Sequence, residues 1–546
     1  MRDLELTMLE RRVDRLMAPW DRADGPGMVV GVVRGGTLAV HRQVGMASLE
    51  LGVPLGPDSA FRIASVSKQF TCAIILMLAA EGRLDVRDAV RKYIPELPDY
   101  GHPLTLAHLM HNTSGLRDML EVMRLGGADL TYACTPADLL GAICRQRSLN
   151  FVPGTRYLYS NSSFFLLGVV AERITGETLP TLLERMIFAP LGMTRTAMVP
   201  NTADIVPNLA TGYQPRGNSD ANGANGGDGW LRAVHGFPLG GEGGLVSCVE
   251  DLALWVRNMA TGRVGGTKLV EALETQAPFA NGVQNAYARG LQIRHRRGMR
   301  TIEHGGSWPG YRTHFLRVPA LDVAVICISN DASADPATLA HLVLQAAVDD
   351  RPGVLPMPAL PAAEALGGLP GRYLDRTTGA TVDLSLSEAG EPMATLYGNG
   401  TQLRLGPDGR LEATHAAPDF FAALPNDKER LDIELDAGTA SVYHRVAQGA
   451  ALPPDLPGIY ANDDIAANWT IAEEAGSMVV RVAGPHVKAG PWGMEPVEGD
   501  VIRIFPPARV YRSWLDVRVQ RNGEGRITGL GVNGGRARQL VFTRVS

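Results

Sequence analysis

The apolar positions of the chain follow helical spacing first and strand spacing second. Leu6, Leu9, Val13 and Leu16 recur at helical intervals and predict an amphipathic helix over residues 3–18. GMVVGVV, an RGG turn and TLAVHRQVG then predict two short strands around a glycine turn, a hairpin. From Ser67 to Glu81 the run SKQFTCAIILMLAAE is apolar nearly all round, the pattern of a helix buried in a core. Helix-like segments continue to about residue 200. Residues 217–229, GNSDANGANGGDG, have nothing to bury and read as a flexible loop. TIEHGG, RTHFLRV and DVAVICISN read as strands, and residues 336–349 as a last helix. Strands at both ends with helices between them imply an α+β domain over residues 1–352.

Beyond it the pattern changes. RPGVLPMPALP (351–361) is a semi-rigid proline-rich spacer, and the remainder alternates β-type segments with glycine turns. This remainder repeats itself. Leu369-Pro370-Gly371-Arg372-Tyr373 recurs as Leu456-Pro457-Gly458-Ile459-Tyr460, and the two copies end in SVYHRV and LVFTRV. Two copies are too few for a solenoid. Two small antiparallel β-barrels, over 363–450 and 451–546, fit better.

Composition narrows the classes. The 62 glycines and 36 prolines in 546 residues fall short of the roughly 25–30% that marks low complexity. Five cysteines cannot staple a chain this long, and reduced thiols fit better. A net charge of −5 gives no overall basic footprint for nucleic acid or anionic lipid. No stretch reaches the roughly 18 apolar residues of a membrane span. The opening MRDLELTMLERRVDRLMAPW carries charges every few residues and lacks the apolar core of a secretory signal, which implies a cytoplasmic protein. Only five residues are lysine (Lys68, Lys92, Lys268, Lys428, Lys488), in a chain with 52 Lys plus Arg. A lysine here marks a place where arginine would not serve.

Lys68 closes the motif Ser65-Val66-Ser67-Lys68 at the start of the buried helix. Chance would give about 0.2 such S-x-x-K pairings in a chain of this composition. Residues i and i+3 share a helical face, so the amine can reach the Ser65 hydroxyl. A buried lysine can lose its proton and act as a base, whereas arginine cannot. Ser67 points elsewhere and is expected to tolerate Ala. The second motif is Tyr159-Ser160-Asn161. A tyrosine beside an amine can relay a proton. Asn161 can donate to a substrate carbonyl while its oxygen orients the lysine, or can serve as the N-cap of the helix SSFFLLGVVAERI. The third is His304-Gly305-Gly306-Ser307, where glycines at a strand end let a substrate backbone lie close and a backbone N–H can complete an oxyanion hole. His108 and His111 could share a helix face as metal ligands, but no third ligand has clear spacing, so packing roles and no metal or cofactor are expected.

The order SxxK, YxN, HxG, with FRIASVSKQF, LTLAHLMHNTSGL, FVPGTRYLYSNSSFFLLG, GGEGGLVSCVEDLALW and EHGGSWPGY, resembles the serine penicillin-recognising enzymes, in the branch of class C β-lactamases, D-amino-acid-releasing peptidases and esterases. One such domain followed by two barrels resembles the bacterial D-aminopeptidase family over nearly the whole chain. The resemblance implies Ser65 as the acylated nucleophile and Lys68 with Tyr159 as its proton carriers. It puts Asn161 on the substrate amide, and His304 where many relatives carry Lys. The oxyanion hole would be built from the N–H groups of Ser65 and Ser307. A histidine near neutrality offers little charge to a substrate carboxylate. The resemblance also implies a loop of the last barrel that closes the acyl side of the cleft. The strand spacing puts this loop at 506–513, with Arg509 and Tyr511, and makes 484–496 a second candidate. The implied partner is a small peptide or amide with an N-terminal D-residue, D-alanine first, and the implied assembly is a homodimer. The alternatives are a promiscuous esterase, β-lactamase or D,D-carboxypeptidase of the same superfamily, or a non-catalytic binding scaffold.

Overall fold

The structure is a computed structural model. It describes residues 2–216, 229–349, 351, 353–355, 368–405, 410–413, 422–425, 429–434, 440–447, 449–506 and 513–545. The flexible loop expected at 217–229, apart from Gly229, and most of the spacer expected at 351–361 lie outside these residues.

The hairpin predicted near the N-terminus consists of β1 (Met28–Arg34) and β2 (Thr37–Val44). Its turn residues Gly35 and Gly36 have φ of 57° and 68°, a pair of positive values that glycine adopts without steric cost. Four strands from the far end of the domain complete the sheet: β3 (Gln292–Arg296), β4 (Met299–Trp308), β5 (Tyr311–Val318) and β6 (Val323–Ser329). The order is β3-β4-β5-β6-β1-β2, and every neighbouring pair is antiparallel. Met28 pairs with Ser329 and Arg34 with Val323, so the first strand zips onto the last.

Helices cover both faces. The longest helices are α1 (Arg2–Met17), α2 (Lys68–Ala80), α3 (Asn161–Thr175), α4 (Val249–Thr261) and α5 (Pro336–Val348). Side chains of β1 alternate between the layers, as strand geometry requires. Met28, Val30 and Val32 join the core beneath α1 and α5, while Val29 and Val33 join the larger core that contains α2, α3 and α4. Gly31 faces α4, and a Cβ there would lie 2.4 Å from Val249 Cγ1, so only glycine admits this approach. β6 is buried on both faces, which explains its unbroken apolar run.

The internal repeat is two closed eight-stranded barrels, with strands spanning 371–445 and 458–544. They close through Tyr373 opposite Arg445 and Tyr460 opposite Arg544, residues drawn from the repeated start and end motifs. In both copies the tyrosine hydroxyl donates to the leucine carbonyl four residues back, at 2.7 and 2.6 Å. In both copies the arginine near the last strand's end lies over that tyrosine ring. The last barrel shares one continuous core with the helical part of the first domain. Trp469 anchors it. Its ring lies 4.2 Å from that of Phe542, and its Nε1 donates to Leu125 O at 3.0 Å. Removing this fully buried indole should cost about 3–5 kcal/mol. Urea unfolding of Trp469→Ala checks this, and a loss below about 1 kcal/mol would contradict the anchoring role.

Candidate active site

The start of α2 is built to present one hydroxyl. A 3₁₀ turn, Ala64–Ser67, leads into the helix, and Ala64 before the serine has φ of 48°, a strained value for a residue with a Cβ. Ser65 is half-buried, while Ile63, Ala64, Val66, Ser67 and Lys68 are all buried. Lys68 Nζ lies 3.0 Å from Ser65 Oγ. It also donates to Asn161 Oδ1 at 2.9 Å and to Glu242 O at 2.5 Å. Burial pushes the Lys68 amine down to about 7, opposed by the charges of Glu242 and Asp118 and assisted by that of Arg536. A neutral amine has two N–H bonds and one lone pair. Two acceptors that cannot donate hold the two N–H bonds, which leaves the lone pair for the Ser65 hydroxyl.

Both acceptors are themselves fixed. Asn161 is the first residue of α3, and the N-cap is Ser160, so the capping role considered for Asn161 falls one residue earlier. Asn161 N and Nδ2 both donate to Asp118 Oδ2, at 2.8 and 2.9 Å, which turns Oδ1 toward the lysine. Glu242 O arrives in the run GGEGG. A Cβ on Gly241 would lie 2.7 Å from Phe164 O and one on Gly244 2.9 Å from Leu239 O, so these glycines permit the close turn. Glu242 Oε1 accepts from Gly240 N at 2.9 Å, and burial raises the pKa of this carboxyl. Ser67 departs from expectation. Its hydroxyl donates to Ala64 O at 2.6 Å and accepts from Leu245 N at 3.1 Å. It is fully buried and ties the nucleophile turn to the glycine run, so Ala there removes two hydrogen bonds.

Tyr159 is buried, with Lys68 Nζ 4.8 Å from its ring centroid. His304 lies on β4, is only 1% exposed, and has both ring nitrogens engaged. Tyr287 Oη is 2.9 Å from Nε2, and Gly305 O is 2.6 Å from Nδ1. Burial, then the Lys68 charge, pushes this imidazole down to about 3. Ser307 is exposed at the strand end. Gly306 serves a protein contact: a Cβ there would lie 2.2 Å from Ile63 O, so glycine lets β4 lie against the nucleophile turn.

The last barrel reaches this site. Among the described residues it does so through the segment 533–539, between its final two strands. Asp118 N donates to Arg536 O at 3.2 Å, and Arg538 N donates to Asn150 Oδ1 at 2.8 Å. These bonds pin the loop, and the Arg536 guanidinium lies 4.7 Å from the centroid of Tyr159 and 4.0 Å from Asp118 Oδ2. Arg509 and Tyr511, proposed from sequence as the specificity loop, lie outside the described residues. The second candidate, 484–496, packs on the first domain at Gly126, where a Cβ on Gly484 would overlap the carbonyl, and at Tyr132, whose ring is 5.8 Å from that of His486. Sequence reasoning missed Asp118, Tyr287 and Arg536. The glycine-rich hairpin NGGRARQ was the one visible trace of the last.

One group of side chains among the described residues has the spacing of metal ligands: Glu303, His314 and His341. Both imidazole Nε2 atoms lie 3.1 Å from Glu303 Oε2, and the guanidiniums of Arg294 and Arg296 lie 3.7 and 3.6 Å from Oε1. The carboxylate is thus already matched by two cations, and a divalent ion would raise an existing excess of positive charge. The cluster is a clamp between β4, β5 and α5. His108 belongs to the capping box of a short helix with Thr105, and His111 Nδ1 faces Tyr287 O at 3.4 Å, so both histidines have packing roles.

Comparison with known proteins adds three findings. The beta-lactamase family model matches residues 9–348. A D-aminopeptidase of Brucella anthropi is 28% identical over 533 residues, 95% of this chain and 96% of that protein, and one of Brucella canis is 29% identical over 538 residues with the same coverage. Two solved structures share the fold. The octameric penicillin-binding protein homologue from Pyrococcus abyssi has a TM-score of 0.56 at 20% identity, covering 80% of this chain and 99% of its own. The D-amino acid amidase from Ochrobactrum anthropi SV3 has a TM-score of 0.54 at 23% identity, covering 63% of this chain and 99% of its own.

Proposed function

Because the chain belongs to the beta-lactamase family, we propose that it is a serine hydrolase that releases N-terminal D-residues, D-alanine first, from small peptides, amides or esters. The observation that carries this reading is the environment of Lys68, whose two N–H bonds are held by Asn161 Oδ1 and Glu242 O while Ser65 Oγ lies 3.0 Å away. In the proposed reaction the Lys68 lone pair takes the Ser65 proton as Oγ attacks the substrate carbonyl. The N–H groups of Ser65 and Ser307 hold the oxyanion, and Tyr159 passes a proton to the leaving amine. Water then hydrolyses the acyl-enzyme by the reverse proton path. The second Nδ2 hydrogen of Asn161 is available to the substrate amide, since one is committed to Asp118.

The near full-length likeness to D-aminopeptidases supports the substrate class. A cytoplasmic setting is part of the proposal. No described helix is long and apolar enough to cross a membrane. Homodimerisation remains part of the proposal. Arg536 favours a second reading of specificity, because a guanidinium beside the Tyr159 ring and Asp118 suits an acyl group that carries a carbonyl or carboxylate.

A panel of chromogenic substrates separates the readings. D-alanine p-nitroanilide should be turned over at least tenfold better, in kcat/KM, than its L-enantiomer, N-acetyl-D-alanine p-nitroanilide, nitrocefin or p-nitrophenyl butyrate. Preference for the N-acetyl compound would favour the second reading, and preference for the butyrate or nitrocefin would replace the aminopeptidase by an esterase or β-lactamase.

A further inference from the structure

Gly305 O can only accept a hydrogen bond, so the 2.6 Å contact puts a proton on His304 Nδ1. In a neutral imidazole Nε2 is then an acceptor, and the Tyr287 hydroxyl 2.9 Å away must donate to it. The Tyr287 main chain is fixed from several sides. Tyr287 N donates to Asn285 Oδ1 at 2.9 Å, Asn285 Nδ2 donates to His111 O at 3.0 Å, and the His111 ring faces Tyr287 O. Its ring packs against Tyr157, Tyr159 and Phe164. Gly290, with φ of +74°, seats the same segment on the start of α2, where a Cβ would lie 2.7 Å from the Lys68 carbonyl carbon.

We propose that Tyr287 is a positioning residue of the active site: its hydroxyl donates to His304 Nε2 and holds His304 as the neutral Nδ1–H tautomer beside Lys68. The consequence for catalysis rests on the hydrolase reading above, whereas the tautomer itself does not. The ionisable groups around His304 are Lys68 from α2, Tyr159 ahead of α3, Tyr287, His314 on β5, and Glu303 behind its own strand. Of these only Glu303 is an acid, and it is engaged by His314, His341 and two arginines. A protonated His304 would therefore add a cation next to the lysine that must be neutral to accept the Ser65 proton. With Nε2 capped, His304 is a neutral wall of the site, and Tyr159 is left to carry the proton.

The direct test is ¹⁵N–¹H NMR of the histidine side chains in the full chain, with the His304 signals assigned by their loss in His304→Gln. In the wild-type protein Nδ1 should bear the proton and Nε2 should give a pyridine-type shift, unchanged from pH 8 to pH 5. In Tyr287→Phe, His304 should titrate or gain an Nε2–H population within that range. The same variant should lower kcat roughly tenfold, the loss of one buried hydrogen bond, with little change in KM, and should add a second ionisation to the acid limb. Fluorotyrosine labelling, which keeps the shape of the ring and strengthens the phenol as a donor, should shift the Nε2 signal without altering the fold. A wild-type His304 protonated on Nε2, or a His304 signal indifferent to both changes, would overturn the proposal whether or not the protein hydrolyses D-alanine amides.

Discussion

Ser65→Ala should reduce turnover by about 10⁴- to 10⁶-fold on every substrate, because the variant loses the atom that forms the covalent bond. Only a half-buried hydroxyl is removed, so the melting temperature should stay within a few degrees of the parent value. The neighbouring Ser67 gives the opposite pattern. Its hydroxyl bridges Ala64 O and Leu245 N, so Ser67→Ala should lose stability and retain the chemical step. Substrate turnover and thermal melting on both variants separate the two serines. A Ser65→Ala protein with more than a few per cent of parental activity would remove Ser65 from its role.

Lys68→Arg should be nearly as damaging, with kcat/KM falling roughly 10²- to 10⁴-fold. A guanidinium cannot give up its proton near neutrality and so cannot accept one from Ser65. It is also bulkier than the amine held between Asn161 Oδ1 and Glu242 O, so the variant should be less stable as well. The parent enzyme carries the complementary signature. The free amine is the active form, and burial sets its pKa at about 7. Activity should therefore be low on the acid side, rise through about pH 7 and level off above it. The sign also applies to stability. The unfolded chain binds a proton on this lysine at pH values where the folded form does not, so this group's contribution to stability increases from about pH 7 upward. An acid limb centred near pH 10 would contradict the lowered Lys68 pKa, and one that survives unchanged in Lys68→Arg would assign the base to another group.

The legible parts of the molecule are those whose cause is local. Ser65 and Lys68 are three residues apart on one helical turn, so their meeting could be read from spacing. The barrels announced themselves because Tyr373 and Tyr460 each bind a carbonyl four residues back, a contact that repeats with the sequence. The six-stranded sheet was visible as strands at both ends, although the pairing of β1 with β6 joins residues about 300 positions apart. What stayed hidden depends on such long-range meetings. Asp118 orients Asn161 across 43 residues, and Arg536 comes from the other end of the chain. Asp118 lies in no pattern that composition or periodicity marks, and Arg536 shows only as part of the glycine-rich turn NGGRARQ. His304 was legible as a residue but not in its state, since its burial and the Tyr287 cap arise from packing. The loop expected at 506–513 lies mostly outside the described residues, and strand spacing alone does not single out 533–539, the segment that meets the site.

The central claim is that Ser65 becomes acylated, and rapid quenching tests it most directly. The enzyme is mixed with a D-alanine p-nitrophenyl ester, stopped in acid within milliseconds to seconds, digested and mapped by mass spectrometry. The account predicts a D-alanyl increment on the peptide that carries Ser65, formed with the burst of nitrophenol and absent from Ser65→Ala. An increment on a different residue, or a burst with Ser65 unmodified at every quench time, would contradict it.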